Sequence, residues 1–263
     1  MKYLNKIILI IISIFITLFL IFHFYINPKK VTPILMYHAI NNGGRSTLNV
    51  APLNFSRQMK FLHDNNFNVI SLDELTANIQ KGIRFLPKTV VITFDDGFED
   101  NYINAFPVLS KYKMPAEIFL ITNYIGKHER YLNWDQVRLM SENGINFGGH
   151  TRNDIYLPSI VNDDKQLWDE IYGAKTDIEN NISQEAAYFC YPVGGFNEKI
   201  KNVVKKAGYK GACATNRGFD KTNKDVYELN RVKITNSDTK KPLHFRAKLS
   251  GYYNVFRRLK KGD

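Results

Sequence analysis

Four polar clusters stand in this chain directly after short apolar runs, and their residue types suit hydrolytic chemistry. The clusters are His38, Asp95–Asp96, His150 with Asp154, and Tyr191–Pro192. Two adjacent carboxylates repel each other unless a cation or a shared proton relieves the repulsion, so Asp95 and Asp96 predict a metal site or an acid/base pair. The alternative is a plain Asp-Gly turn ending at Gly97. His150 and Asp154 offer nitrogen and oxygen ligands that suit Zn²⁺ or another borderline divalent ion, so the clusters together favour metal-assisted hydrolysis.

The elements that must position these clusters alternate between apolar strands and helices. Strands are expected at 33–38, 67–70, 89–94, 116–122, 145–149, 186–191, 209–214 and 226–234. Helices are expected at 55–64, 101–113, 133–143, 163–181 and 197–207, and one more after the capping-box pattern at 71–74. This alternation predicts a parallel sheet, and we expect a closed (β/α) barrel because no glycine-rich dinucleotide loop follows an early strand. In such a barrel the chemistry gathers at the carboxyl ends of the strands.

The N-terminus carries an uncharged, mostly apolar run from Ile7 to Ile26. A helix of about 20 apolar residues spans the core of a bilayer. A cleaved signal peptide has a shorter apolar region and small residues before the cut, and this run has neither feature. We therefore expect an uncleaved signal anchor and linker over residues 1–30, followed by one extracytoplasmic domain over residues 31–263. A cleaved signal peptide and a buried core helix are the alternatives.

The chain of 263 residues has 36 Lys and Arg against 25 Asp and Glu, which gives a formal net charge of +11. The excess points either to anionic surroundings or to a Lys-rich composition without functional meaning. Nucleic-acid binding is not expected because no recognition motif is present. The basic C-terminal tail, residues 240–261, is expected to form a helix that lies on anionic lipid or packs on the barrel. Cys190 and Cys213 are too few for a disulfide framework and are expected to be free buried thiols.

Several short motifs resemble those of a known enzyme family. They are TFDDG at 93–97, GHT at 149–151, FCYPVG at 189–194 before Asn197, and MYH at 36–38. With them, the chain resembles a polysaccharide deacetylase of the NodB-homology type, a carbohydrate esterase, over residues 31–235. MYH resembles the branch that acts on exopolysaccharides such as poly-N-acetylglucosamine. The resemblance implies a distorted (β/α) barrel of about seven parallel strands.

The resemblance also implies a role for each cluster. Asp95 would be the general base for the attacking water, while Asp96 and His150 would bind a divalent metal that polarises the acetyl carbonyl. Backbone N–H groups near Tyr191 and Pro192 would hold the oxyanion.

This chain departs from the family pattern at the metal site. The family usually has a second histidine four residues after the first, where this chain has Asp154. A carboxylate can bind zinc but favours harder ions, so we expect Zn²⁺, with Co²⁺, Ni²⁺ or Mn²⁺ as alternatives. The other alternative is a degenerate, inactive site.

Two further departures concern proton transfer and charge balance. The arginine that often precedes the YP motif is absent, and Arg231 is our candidate for neutralising and orienting Asp95. The C-terminal Leu-x-His motif is not clear, so His38 is the preferred general acid and His244 the second choice. Residues expected along the substrate groove are Tyr156, Leu157 and Phe196.

The function expected from these observations is metal-dependent hydrolytic removal of N-acetyl groups from an envelope or extracellular glycan. One alternative is a catalytically degenerate barrel that binds polysaccharide, and another is an esterase that removes O-acetyl groups. Trp134 and Trp168 are expected to pack in the core rather than to stack on sugar rings. The sequence does not indicate an oligomeric state.

Overall fold

A parallel sheet curled into a half-barrel forms the centre of the domain. The computed structural model describes residues 2–43, 48–215 and 220–256. Its strands are β1 (Ile34–Tyr37), β2 (Asn68–Val69), β3 (Thr89–Phe94), β4 (Ala116–Leu120), β5 (Ile145–Gly149), β6 (Tyr188–Cys190), β7 (Gly211–Cys213) and β8 (Val232–Lys233). Seven of them lie in the order β7-β6-β5-β4-β3-β1-β8, and β2 pairs with the start of β3. The predicted α/β class and distorted barrel of about seven parallel strands are confirmed.

Helices connect consecutive strands. They are α2 (Pro52–Asp64), α3 (Leu72–Gln80), α4 (Phe106–Tyr112), α5 (Trp134–Glu142), α6 (Asp164–Trp168), α7 (Ala174–Asn181) and α8 (Glu198–Lys206). Side-chain caps start several of them, because the first backbone N–H groups of a helix have no partner within it. Ser71 accepts from Glu74 N at the start of α3, and Asn133 forms a capping box with Gln136 at α5. With helices over them, strands β1, β3 and β4 are buried along their whole length, as a parallel sheet requires.

The expectation of a closed barrel was wrong. Among the described residues, no regular ladder joins β7 to β8. The segment expected as a strand at 226–234 is regular only at Val232–Lys233. Before that it meets β7 through an isolated bridge between Cys213 and Leu229 and through backbone hydrogen bonds, such as that from Ala214 N–H to the Leu229 carbonyl at 2.8 Å. The side chain of Arg231 turns into the barrel, where its Nε donates to the Ala214 carbonyl at 3.0 Å.

The C-terminal tail packs on the barrel as three short helices rather than forming one. They are α9 (Asn236–Lys240), α10 (Pro242–Leu249) and α11 (Tyr253–Phe256). Phe245 and Leu249 are buried in the core, and Lys248 donates to the buried Asp238 carboxylate at 2.9 Å. Of the two outcomes expected for the tail, packing on the barrel is the one observed; residues 257–261 lie outside the described residues.

The N-terminal helix α1 (Lys2–Ile21) continues as a π-helical turn over Phe22–Ile26. One span, Tyr3–Lys29, is long and apolar enough to cross a membrane, and none of its most apolar window is buried by the rest of the chain. The alternative of a buried core helix is therefore excluded. An apolar helix at this position is compatible with a signal anchor and with a signal peptide.

Candidate active site

The carboxyl ends of β1, β3, β5 and β6 bring the expected residues together at one end of the barrel. The backbone there is strained, because four residues other than glycine have positive φ angles, a region that L-residues rarely adopt. They are Asp96 (76°), Thr151 (60°), Asp154 (56°) and Val193 (56°). Strain of this kind costs about 1–3 kcal/mol per residue and is concentrated at functional sites, so it supports a functional site at this end of the barrel.

Gly97 makes the sharp turn after β3 possible. Its φ is 75°, and a Cβ at this position would lie 2.6 Å from Leu120 Cδ2, so any other residue would be strained and would displace the Leu120 side chain. The turn points two adjacent carboxylates in different directions. Asp95 is buried inside the barrel, whereas the side chain of Asp96 remains 19% exposed at the mouth.

Asp95 belongs to what we call the buried cluster, formed with Arg231 and Cys190. Arg231 Nη1 and Nη2 donate to the two carboxylate oxygens of Asp95 at 2.6 and 2.7 Å, and Nη2 also lies 3.0 Å from Cys190 Sγ. Burial alone would raise the pKa of Asp95, but the charge of Arg231 outweighs it and holds the pKa well below its usual range. Asp95 is therefore ionised, and its charge is neutralised in place.

His38 lies beside this pair, with its Nε2 3.7 Å from Asp95 Oδ2. Burial lowers the pKa of His38, although the nearby charges of Asp95 and Asp96 act to raise it. The imidazole is thus neutral at pH 7. His244, the second choice for the general acid, pairs with Asp238 on α9 at 2.8 Å and is not part of this cluster.

Asp96, His150 and Asp154 form what we call the open cluster. His150 Nδ1 donates to the Cys190 carbonyl at 2.8 Å, and its Nε2 lies 3.5 Å from Asp96 Oδ1. Burial acts to lower the pKa of His150, but Cys190 and Asp96 raise it well above its usual value, so a cation would bind here in exchange for a proton. One donor atom from each of the three residues lies within 4.8 Å of the others. A histidine fixed through its other ring nitrogen, together with two carboxylates, fits a divalent cation.

A second group, Asp95 with His150 and Cys190, satisfies the same distance criterion. In that group Arg231 already donates to both oxygens of Asp95 and to the sulfur of Cys190. A cation there would have to displace a buried guanidinium, so the open cluster is the better candidate for the metal.

The loop that carries His150 and Asp154 is held by an acidic residue behind it. Glu170 Oε2 accepts from the backbone N–H groups of Arg152 and Asn153 at 2.9 and 3.0 Å, and its Oε1 accepts from the Asn153 side chain at 2.6 Å. Sequence reasoning missed Glu170, because it lies on the helix after the motif and no pattern within the motif indicates it.

The backbone near Tyr191 and Pro192 was expected to supply N–H groups for an oxyanion, and this stays a prediction. The Tyr191 N–H itself donates to the Cys213 carbonyl at 3.0 Å, and Pro192 has no N–H. The Gly194 N–H donates to the Tyr191 carbonyl at 2.8 Å. No hydrogen bond from the Val193 N–H to another described residue is present, and the Val193 side chain is exposed at a positive φ. Val193 is therefore the candidate amide donor in this segment.

A cleft of about 720 Å³ opens from this end of the barrel on the side of β1 and β3. Its lining includes His38 and Asp96 and extends to Asn49, Phe98, Glu129 and Arg130. This volume lies within the range of about 300–1,000 Å³ for ligand sites. Tyr156, Leu157 and Phe196, the residues expected along a groove, do not line this cleft, and Leu157 and Phe196 are buried in a core cluster.

The aromatic residues near the cleft also differ from the two tryptophans considered from sequence. Trp134 packs against the main core, and Trp168 stacks on Tyr172 with ring centroids 4.7 Å apart, as expected for packing residues. Phe98 lines the cleft instead and packs on Tyr131 with ring centroids 5.1 Å apart. Phe98 follows the TFDDG motif directly, which is the sequence signal that could have identified it.

Known proteins resemble this chain over most of its length. A family model described as polysaccharide deacetylase matches residues 83–212. The YxkH protein of Bacillus subtilis (strain 168), named for the polysaccharide deacetylases, is 35% identical over 208 residues, which cover 79% of this chain and 72% of that protein. The poly-beta-1,6-N-acetyl-D-glucosamine N-deacetylase of Staphylococcus epidermidis is 28% identical over 81% of this chain and 78% of its own length.

Among solved structures, the deacetylase PplD of Streptococcus pyogenes in complex with acetate superposes with a TM-score of 0.73. It is 26% identical, and the match covers 83% of this chain and 97% of that one. The half-barrel, the motif residues gathered at its mouth and these relatives agree, and we conclude that the chain belongs to the polysaccharide deacetylase family.

Proposed function

We propose that this protein is a metal-dependent N-deacetylase that releases acetate from an N-acetylated glycan outside the cytoplasm. The observation that carries the proposal is the open cluster, in which one histidine and two carboxylates converge beside a neutralised, buried carboxylate at the head of a cleft. The N-deacetylase of Staphylococcus epidermidis supports the choice of an amide bond in an amino sugar as the target.

Asp96, His150 and Asp154 would hold the cation. Asp154 is exposed, but partial loss of hydration raises the pKa of its carboxyl group, so a bound cation would also relieve an unfavourable charge. The chemistry that such a cation supplies when bound is Lewis-acid polarisation of an acetyl carbonyl. Two carboxylates favour a harder ion than two histidines would, so Zn²⁺ would compete with Co²⁺, Ni²⁺ and Mn²⁺.

The remaining residues would bind, orient and move protons. Asp95 would take a proton from the attacking water, with Arg231 holding the carboxylate in place and stabilising its charged form. His38 would pass to the leaving amine the proton that Asp95 takes from the water, since its Nε2 lies at the head of the cleft beside Asp95. The Val193 amide would donate to the oxyanion that develops on the acetyl oxygen, and Pro192 would hold the turn that presents it.

The glycan chain would continue from the reacting sugar into the cleft. Phe98, packed on Tyr131, offers an apolar ring in this wall, and Arg130 lies over the other edge of the same ring at 5.6 Å. A sugar beside the reacting unit would therefore meet an aromatic surface flanked by charged side chains. The apolar N-terminal helix supports a membrane anchor that keeps the domain at the cell surface or in the periplasm.

Acetate release tests the proposal. The full-length protein would be loaded in turn with Zn²⁺, Co²⁺, Ni²⁺ or Mn²⁺ and given N-acetylglucosamine oligomers. A matched substrate would carry acetyl groups only on oxygen. We expect acetate from the N-acetylated oligomers with at least one metal, and loss of that release in Asp95→Asn.

Release from the O-acetylated substrate alone would make the protein an esterase. Binding of the oligomer without acetate release with any of the four metals would make it a polysaccharide-binding barrel with a degenerate site.

A further inference from the structure

The N-terminal helix joins the barrel at the pole opposite the candidate active site. The Val31 N–H donates to the Gly251 carbonyl at 3.2 Å, and the Thr32 N–H donates to the Arg84 carbonyl at 2.9 Å. The chain then runs into β1, whose carboxyl end leads to His38. Helix α1 therefore joins the barrel at the amino ends of the strands, and the candidate active site lies at their carboxyl ends.

The linker between helix and barrel is docked rather than loose. Tyr252 donates its hydroxyl to Asn27 Oδ1 at 2.9 Å, and its ring centroid lies 5.7 Å from that of Phe22. Lys30 Nζ lies 4.0 Å from the ring centroid of Phe85. A Cβ at Gly251 would approach the Val31 carbonyl to 2.5 Å, so the two segments are in close contact. These contacts give the barrel a defined orientation relative to the helix.

The surface around this entry point has a composition distinct from that of the mouth. We call it the anchor pole and define it by residues 29–30, 81–88 and 252–256. It carries five cations and no carboxylate, and the cations are Lys29, Lys30, Lys81, Arg84 and Lys88. Ile83 and Phe256 are exposed among them, at 42% and 71%. The cleft at the other pole has four carboxylates, namely Asp96, Glu99, Asp100 and Glu129.

A surface that combines exposed apolar side chains with lysine and arginine suits the interface of an anionic bilayer, which attracts basic residues close to it. We propose that the anchor pole lies on the anionic membrane into which α1 inserts, so that the mouth opens away from the lipid. This inference rests on the anchoring given above as part of the proposed function. The proposed partner of the anchor pole is therefore the bilayer into which α1 of the same chain inserts.

This orientation restricts the class of substrate. At about 3.3 Å per residue, a strand of six residues such as β3 spans about 20 Å, so the mouth would stand at least that far above the lipid headgroups. Acetyl groups on sugars at the level of the headgroups would lie out of reach. The substrate would be a segment of a long glycan chain some distance from the membrane.

Depth-dependent fluorescence quenching tests this orientation. The full-length protein is reconstituted into vesicles of phosphatidylcholine and phosphatidylglycerol that contain lipids with a nitroxide on the headgroup. One fluorophore is attached to Ile83→Cys at the anchor pole or to Glu129→Cys at the mouth. Cys190 and Cys213 are buried, and the unmodified chain serves as the labelling control. We expect severalfold stronger quenching at position 83 than at position 129.

A charge variant tests the role of the basic residues. Lys81→Glu with Lys88→Glu should reduce the quenching of the fluorophore at position 83 in anionic vesicles, whereas Lys127→Glu, near the mouth, should not. Equal quenching at both positions, stronger quenching at position 129, or failure of the chain to float with the vesicles would overturn the proposal. Acetate release is measured on the unmodified chain and on the chain labelled at position 83, because a fluorophore at position 129 would stand in the cleft. Absence of acetate release with the expected quenching pattern would count against the deacetylase function and leave the orientation standing.

Discussion

Asp95 and Asp96 are adjacent in the sequence, yet they stand in opposite surroundings. In the buried cluster, Arg231 donates to both oxygens of Asp95, so the charge of that carboxylate is already balanced. In the open cluster, Asp96 faces His150 and Asp154 at the edge of the cleft, and no described lysine or arginine forms an ion pair with either carboxylate. The contrast arises from Gly97, whose turn sends the two side chains to different sides of the strand end.

The difference indicates which cluster suits metal binding and which suits proton transfer. By residue type and distance alone, two groups could bind a metal. One is the open cluster, and the other is formed by Asp95 and Cys190 of the buried cluster together with His150. The charges separate them, because Arg231 balances the charge of Asp95 in the buried cluster, whereas no described lysine or arginine pairs with either carboxylate of the open cluster. A divalent cation gains most where negative charge is uncompensated, so the open cluster suits the metal and the buried cluster suits proton transfer.

The largest effect should come from removing the charge of the buried cluster. In Asp95→Asn we expect acetate release to fall by about 10²–10⁴-fold, the usual contribution of a general base, while the bound metal stays in place. Acetate assays and metal analysis on the same samples measure both effects. Asp135→Asn, which lies exposed on α5, is the control and should keep its activity. Loss of the metal in Asp95→Asn would contradict the division between the clusters.

The next effect concerns stability. Arg231→Met leaves Asp95 buried without its counter-charge, and breaking a buried pair in this way costs about 3–5 kcal/mol in the free energy of unfolding. Replacing both partners, as in Asp95→Leu with Arg231→Met, should recover much of that loss, since no charge is then left unpaired. Urea unfolding followed by circular dichroism compares the wild type with the two variants. A single variant as stable as the wild type would show that the pair is not the electrostatic centre of the buried cluster.

A smaller effect should appear when the support of the open cluster is weakened. Glu170→Gln removes the charge that holds the backbone at Arg152 and Asn153, so the loop bearing His150 and Asp154 is less well positioned. Such supporting residues typically contribute about 10–100-fold to metal affinity. Competition with a chelator measures the change, and Glu142→Gln, exposed on α5, provides the control. Unchanged affinity would mean that Glu170 has no part in the metal site.

The smallest effect is a dependence of stability on pH. The pKa of Asp95 is lower in the folded protein than in the unfolded chain, so the unfolded state binds more protons in acid. The stabilisation is fully present above the unfolded pKa of about 3.9 and is lost as the pH falls toward the folded value. The difference in unfolding free energy between wild type and Asp95→Asn should therefore shrink as the pH falls below about 4. A difference that is constant between pH 3 and pH 7 would mean that the pair does not lower this pKa.

Much of the fold and the position of the site could be predicted from local patterns. Alternating apolar runs indicated the parallel sheet, and TFDDG and GHT marked two strand ends that meet at the mouth. Arg231 could be proposed as the partner of Asp95 because the buried acid needed a cation and the usual arginine was missing.

What the patterns did not reveal depends on long-range pairing. Local sequence does not show that the Tyr191 N–H donates to the Cys213 carbonyl of β7, which leaves the Val193 amide as the candidate donor. The same limit hid the pairing of 226–231 with β7, which has backbone hydrogen bonds but no regular ladder. The cleft beside Asn49 and Phe98 was not expected because no motif marks the residues that line it.

The metal content of matched variants tests the central claim most directly. Wild type, Asp154→Ala and Cys190→Ser would be purified, loaded with Zn²⁺, dialysed and analysed for bound metal per chain. The open cluster predicts one equivalent in the wild type and in Cys190→Ser, and a clear loss in Asp154→Ala. Loss of the metal in Cys190→Ser, with full retention in Asp154→Ala, would contradict this account and move the metal into the buried cluster.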